Sequence, residues 1–272
     1  MKRILLFVVF AVLCGCGTRQ TQQVDSVLDK VRRTHIIKAA TVIDPPMVIK
    51  NPTNSEYSGH LVDAMKIVAQ RMNADIEWTE TTYGNAAGTL LSGRVDVVVA
   101  PLFANIERAQ AVSFIQPPLF YMGLSALVKK GGRFEKVADV HEFDQSGVRI
   151  ALATGEAGDL FATSEFKKAT LNRTNVEATE ISRFMLDVLT GNADVAIADS
   201  NQIAKFASAH PDTTDLFAKK QFALNPACFA IRYGDADWKA FLETSLHFLR
   251  TRGVLQQQEK KYGANWQHNL VE

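Results

Sequence analysis

Two apolar runs in the chain are each followed at once by polar residues. Residues 95–100, apolar apart from Asp96, lead into the segment 101–108, which holds Phe103, Asn105 and Arg108, and residues 195–198 lead into Asp199. A continuous apolar run of this length fits a strand covered on both faces in a parallel sheet. Side chains just past the carboxyl ends of such strands are where open α/β sheets bind ligands. The planar guanidinium of Arg108 can hold a carboxylate through two parallel hydrogen bonds, which a lysine cannot do. A third stretch, Gly155-Glu156-Ala157-Gly158, has the form of a loop entering a helix N-terminus and would offer N–H donors to an anion; an ordinary strand-to-helix loop fits it equally.

Other chemistries find little support. The sequence has no Gly-x4-Gly-Lys-Ser/Thr loop, no Gly-x-Gly-x2-Gly, no His-Glu-x2-His and no calcium loop. Its six histidines, His35, His60, His141, His210, His247 and His268, are scattered without ligand spacing, so neither a metal nor a cofactor is expected. The 272 residues are 47% hydrophobic, which places the chain among globular proteins and away from disorder. Thirty Lys plus Arg against 29 Asp plus Glu give no electrostatic reason to expect nucleic acid, since backbone binding needs a basic patch.

The N-terminus reads as a secretory signal. Lys2 and Arg3 precede an apolar run over residues 4–12, too short to span a bilayer comfortably, and Leu13-Cys14-Gly15-Cys16 follows. A Cys after Leu-x-Gly resembles the bacterial lipoprotein box, so residues 1–15 are expected to be removed and Cys16 to carry the lipid, palmitate included. Residues 16–33 then serve as lipidated Cys and tether. The mature chain would hold 28 basic and 29 acidic residues, a net charge of −1. With Cys14 removed and Cys16 acylated, Cys228 is left alone, and its apolar surroundings, residues 227–231, read as a strand with a buried thiol.

These polar positions need elements to hold them, and the periodicities alternate between strand and helix. Strands are expected at 36–42, 76–79, 95–100, 148–153, 174–178 and 195–198, and helices at 61–72, 86–91, 159–166, 181–189 and 238–249. Ser92-Gly93-Arg94-Val95-Asp96-Val97-Val98-Val99-Ala100 aligns without gaps on Thr190-Gly191-Asn192-Ala193-Asp194-Val195-Ala196-Ile197-Ala198. Any strand after a helix-ending Gly explains part of this; two lobes of similar architecture explain all of it. Extended stretches at 119–128 and 227–231 could join such lobes. Lobe 1 would then comprise residues 34–120 plus 227–268, and lobe 2 residues 121–226. Two crossings make a hinge, and a cleft that closes on a ligand follows.

Several local motifs, in order, resemble those of the extracytoplasmic solute-binding proteins of polar amino-acid ABC transporters (family 3). They are Gly59-His60-Leu61-Val62-Asp63-Ala64, Leu90-Leu91-Ser92-Gly93-Arg94-Val95-Asp96-Val97, Glu107-Arg108-Ala109 with Val112, Ser113 and Phe114, and Arg252-Gly253-Val254-Leu255 with Lys261-Tyr262-Gly263. The resemblance implies an α/β, two-lobed periplasmic-binding-protein-like fold (type II), each lobe a sheet flanked by helices, joined by a two-strand hinge. It also implies an amino acid or related small zwitterion as ligand, an ABC permease in the inner membrane as partner, a monomer, and a place on the periplasmic side of the cell envelope.

Carried over by position, Arg108 matches the arginine that grips the ligand's α-carboxylate, and Asp199 the acid that accepts its α-ammonium. Tyr83 sits where the family has an aromatic wall. Phe103 and Asn105 stand where Ser or Thr is common, Asp44 where a ring usually stacks, and Glu156-Ala157 where the family has Thr-Thr. The pocket therefore loses hydroxyls and gains carboxylates. Two other readings stay open: an enzyme resembling cyclohexadienyl dehydratase, with Glu156 or Asp44 as a cleft acid of raised pKa, and a lipoprotein that senses its ligand for a membrane receptor.

Overall fold

The computed structural model describes residues 26–176, 182–264 and 266. The expected signal segment, Cys16, the stretch up to residue 25 and His268 lie outside the described residues. The chain begins with α1 (Val27–Thr34), β1 (Ile36–Thr41), a small hairpin of β2 (Ile49–Lys50) and β3 (Tyr57–Ser58), α2 (His60–Arg71), β4 (Asp75–Glu80), α3 (Ala86–Leu91) and β5 (Val97–Phe103). It continues through α4 (Ile106–Ala109), β6 (Ser113–Phe114), the long β7 (Phe120–Lys129), β8 (Arg149–Ala153), α5 (Ala157–Glu165), β9 (Thr170–Thr174), α6 (Leu186–Thr190), β10 (Val195–Asp199), α7 (Ser200–Ala209) and β11 (Thr213–Asp215). The second long strand, β12 (Phe222–Ile231), is followed by α8 (Ala236–Thr251) and α9 (Val254–Lys261).

The strands form two parallel groups, β4-β1-β5 and β10-β8-β9, each flanked by helices. Two long strands link the groups. β12 pairs antiparallel with β5 from Ala227 to Ala230 and with β7 from Phe222 to Ala227, and β7 continues from Leu124 to Val128 against β10. This is the α/β, two-group architecture with a two-strand connection that the sequence led us to expect. Every residue of β5 and β10 is buried, as their apolar runs required.

The internal correspondence extends to side-chain interactions. Gly93 and Gly191 both turn with φ of +75°, a backbone region open to glycine at no steric cost. Three residues on, Asp96 accepts the Lys38 N–H at 2.9 Å while its own N–H donates to the Lys38 carbonyl at 2.7 Å. Asp194 does the same to Arg149, at 2.8 and 2.9 Å. Each aspartate thus fixes the register of a buried strand on its neighbour, and so fixes where the strand's carboxyl end falls.

The tether expected up to residue 33 is shorter, because residues 27–34 form α1. Val27, Leu28 and Val31 make one buried face, and Asp235 accepts both the Val27 N–H and the Ser26 hydroxyl at 2.7 Å. Asp235 also caps α8 through the Trp238 N–H at 3.0 Å, so one carboxylate ties the two helices together. A strand expected at 174–178 is instead β9 at Thr170–Thr174. As a polar edge strand, β9 carries no apolar run, and only its ladder with β8 from Arg149 to Ala153 places it. The helix expected over 181–189 is a short 3-10 turn, Arg183–Met185, followed by α6; residue 181 lies outside the described residues.

Candidate functional site

One cavity lies between the two strand groups, lined by Asp44, Tyr83, Pro101, Phe103, Arg108, Met122, Glu156, Ala157, Asp199 and Gln202. The loop carrying Asp44 is anchored on the start of α2, whose Leu61 N–H donates to the Met47 carbonyl at 3.2 Å. Gly59 makes this approach possible: it has φ of +111°, and a Cβ there would lie 2.4 Å from the Met47 carbonyl oxygen.

On the opposite wall, Glu156 and Asp199 stand immediately before the helices α5 and α7, and of the two only Asp199 caps its helix with its side chain. Gly158 brings them together, since α5 passes so close over β10 that a Cβ on Gly158 would meet the Ile197 carbonyl oxygen at 2.2 Å. Asp199 accepts the Gln202 N–H at 2.9 Å. The spacing Asp199-x-x-Gln202 is that of a capping box, and it is the sequence signal that points to Gln202 as a neighbour of Asp199.

Arg108 enters from α4, the short helix after β5. Its guanidinium donates to the Phe103 carbonyl at 3.2 Å and, across the gap, to the Gly155 carbonyl at 2.9 Å. Asn105 turns its side chain to the Arg108 N–H at 2.8 Å, so it orients the start of α4 instead of lining the cavity. The remaining expected residues, Asp44, Tyr83, Phe103, Glu156, Ala157 and Asp199, share the cavity wall with Arg108.

The groups are drawn together further by contacts the sequence reading missed. Tyr83 donates its hydroxyl proton to Asp44 at 2.8 Å. Asn201, from α7, donates to Asp44 and to the Pro45 carbonyl, both at 3.3 Å, and the Lys205 ammonium donates to the same carbonyl 3.9 Å from the Asp44 carboxylate. The walls meet closely: a Cβ on Gly84 would lie 3.2 Å from the Thr154 carbonyl oxygen. The space left has a volume of about 20 Å³, room for about one water molecule. Passage of anything larger requires the two sides to part.

Burial sets the electrostatics. It pushes Glu156 up to about 8, reinforced by Asp199, and Asp199 up to about 7, reinforced by Asp44. It raises Asp44 as well, against the lowering effect of its hydrogen bond from Tyr83. Burial lowers Arg108, while the nearby Glu156 counters this. Such a site suits a ligand that brings its own charges: a carboxylate for the guanidinium and a cation for the acids. Among the described residues, no three His, Cys, Asp or Glu come together in a way that could hold a metal ion. Cys228 is buried in β12, and burial pushes its thiol up to about 12, away from nucleophilic chemistry.

Comparison with known proteins bears on the family and the fold. The family model for bacterial extracellular solute-binding proteins, family 3, matches residues 37–265. Cyclohexadienyl dehydratase of Pseudomonas aeruginosa is 22% identical over 249 residues, covering 91% of this chain and 90% of that protein. The crystal structure of the ancestral amino acid-binding protein AncCDT-1, a precursor of cyclohexadienyl dehydratase, superposes with a TM-score of 0.75 at 24% identity, covering 88% of this chain and 99% of that one. A binding component of an ABC transporter from Wolinella succinogenes, complexed with lysine, superposes with a TM-score of 0.73 at 21% identity, covering 85% and 97%.

Proposed function

The chain belongs to the bacterial extracellular solute-binding proteins of family 3, and on that premise we propose that it captures an amino acid or a closely related zwitterion by closing its two lobes, residues 34–120 plus 227–268 and 121–226, about the hinge of β7 and β12. One observation carries this reading: a single guanidinium, Arg108, and the carboxylates Asp44, Glu156 and Asp199 line one cavity between the strand groups. The ligand's α-carboxylate would sit on Arg108 and its α-ammonium on Asp199, with Tyr83 and Phe103 as walls. Calorimetric titration with a panel of amino acids tests it; the reading fails if no member binds better than about millimolar.

In this reading the protein is a binder and not an enzyme, held at the envelope by lipid on Cys16 and passing its ligand to an ABC permease. The lipobox-like Leu13-Cys14-Gly15-Cys16 supports the anchor. Radiolabelled palmitate that stays on the wild type and is lost in Cys16→Ala is the expected outcome. A membrane receptor in place of the permease would leave the binding chemistry unchanged.

A second reading has one observation in its favour. Glu156 is buried and holds its proton up to about pH 8, which suits a general acid near neutral pH. Release of phenylpyruvate from prephenate by the purified protein would establish it, and an inert mixture would leave the binding reading in place.

A further inference from the structure

Glu156 and Gln202 form a corner of the cavity with spare hydrogen-bond acceptors. The Gln202 amide nitrogen donates to one Glu156 carboxylate oxygen at 3.4 Å, leaving the other Glu156 oxygen and the Gln202 carbonyl oxygen buried without partners. Glu156 and Gln202 are 6% and 3% exposed, so bulk water does not satisfy these atoms. A buried acceptor left alone is costly, and a buried charge more so, so two side by side on facing elements mark a place that receives donors.

The charges around the corner name the kind of donor. Asp44, Glu156 and Asp199 face the cavity with Tyr83 and Arg108, and Lys205 reaches Asp44 from the rim. Burial holds protons on Glu156 and Asp199 in the ligand-free site; once a bound cation draws them off, the three acids carry one negative charge more than Arg108 and Lys205 offset. A ligand of zero net charge leaves it so, since its carboxylate and ammonium cancel. A ligand with one further positive charge neutralises the site, and buried charges persist only when they are paired and hydrogen-bonded.

We propose that the ligand is an amino acid with a cationic, multi-donor side chain, whose N–H groups are received by the unpartnered oxygens of Glu156 and Gln202. The assignment rests on the amino-acid reading above and narrows it to one class. Glu156 and Gln202 become specificity residues, separate from Arg108, which serves any α-carboxylate.

L-Arginine and L-citrulline decide it, because they share shape and α-groups and differ in the side-chain charge. Calorimetry at neutral pH should give arginine an affinity at least about tenfold above citrulline, and Glu156→Gln should shrink that preference to within about threefold while citrulline still binds. The wild-type ratio needs no variant and stands even if Glu156→Gln folds poorly. If citrulline or glutamine binds as tightly as arginine, lysine and ornithine, the cationic class is overturned and the amino-acid reading survives. If no panel member binds, both fall together. If arginine wins but Glu156→Gln, folded by its melting curve, keeps the full preference, the corner is not the reader of the charge and the assignment is overturned.

Discussion

The guanidinium of Arg108 donates to the Gly155 carbonyl at 2.9 Å, so a side chain that follows β5 grips the loop that follows β8 in the other strand group. The same side chain lines the cavity, where a carboxylate on the ligand can compete for its donors. Arg108→Ala should therefore abolish amino-acid binding, a loss of at least about 100-fold, since truncating one partner of a buried charge pair costs about 2 to 5 kcal/mol. Its melting temperature should stay near that of the wild type, because no residue of α4, Arg108 included, belongs to the buried core. Normal affinity in this variant would remove the centre of the proposed function.

Glu156 keeps its proton up to about pH 8 in the folded chain and loses it near the ordinary 4.5 when unfolded. Between those values the folded state binds more protons, so stability is full below the lower value and falls as pH rises through the upper one. Asp199, raised from 3.8 to about 7, acts in the same direction over its own window. The stability of the ligand-free protein should fall from about pH 5 to about pH 8, by an amount on the order of a few kcal/mol, and its melting temperature should drop with it. Glu156→Gln should flatten this profile, and a wild-type midpoint that rises over the same range would contradict the burial of these acids.

Lys205 and Asn201 reach from α7 to Asp44 and the Pro45 carbonyl, fastening the two sides at the rim. Lys205 is 45% exposed, so its contribution is the modest one of a solvent-screened pair, about 0.2 to 1 kcal/mol. Lys205→Met should raise the ligand off-rate by about two- to fivefold, read by stopped-flow fluorescence, with little change in on-rate. An unchanged off-rate would mean that closure does not depend on this contact.

Gly158 has no room for a side chain, since a Cβ would meet the Ile197 carbonyl oxygen at 2.2 Å. Gly158→Ala should force α5 away from β10 and cost about 1 to 3 kcal/mol in denaturant unfolding. Ligand affinity should fall with it, because Glu156 and Asp199 are positioned by that contact. Wild-type stability in Gly158→Ala would contradict the close packing.

Asp235 binds the Ser26 hydroxyl, the Val27 N–H and the Trp238 N–H. Asp235→Ala should lower the melting temperature by roughly 2 to 8 °C, as loss of a helix cap costs about 1 to 2 kcal/mol in a domain of this size. Ligand affinity should not change, since α1 and α8 lie away from the cavity. A variant as stable as the wild type would show that α1 docks by its apolar face alone.

Much of the fold could be read locally. The apolar runs at β5 and β10, the glycine turns at 93 and 191 and the face of α2 are patterns within a dozen residues, so Arg108 and Asp199 could be placed at strand ends before any tertiary contact was known. The polar edge strand β9 and the docking of α1 were not legible, since one depends on a partner strand and the other on a carboxylate 208 residues away. Chemistry in the site divides the same way. Residue types and positions along the chain name a guanidinium and a set of acids. Their burial in one cavity, the meeting of Asp44 with Asn201 across 157 residues and the orphaned oxygens of Glu156 and Gln202 come from chain crossing at β7 and β12. Desolvation and charge coupling depend on what stands within a few ångströms, and no local pattern carries that distance.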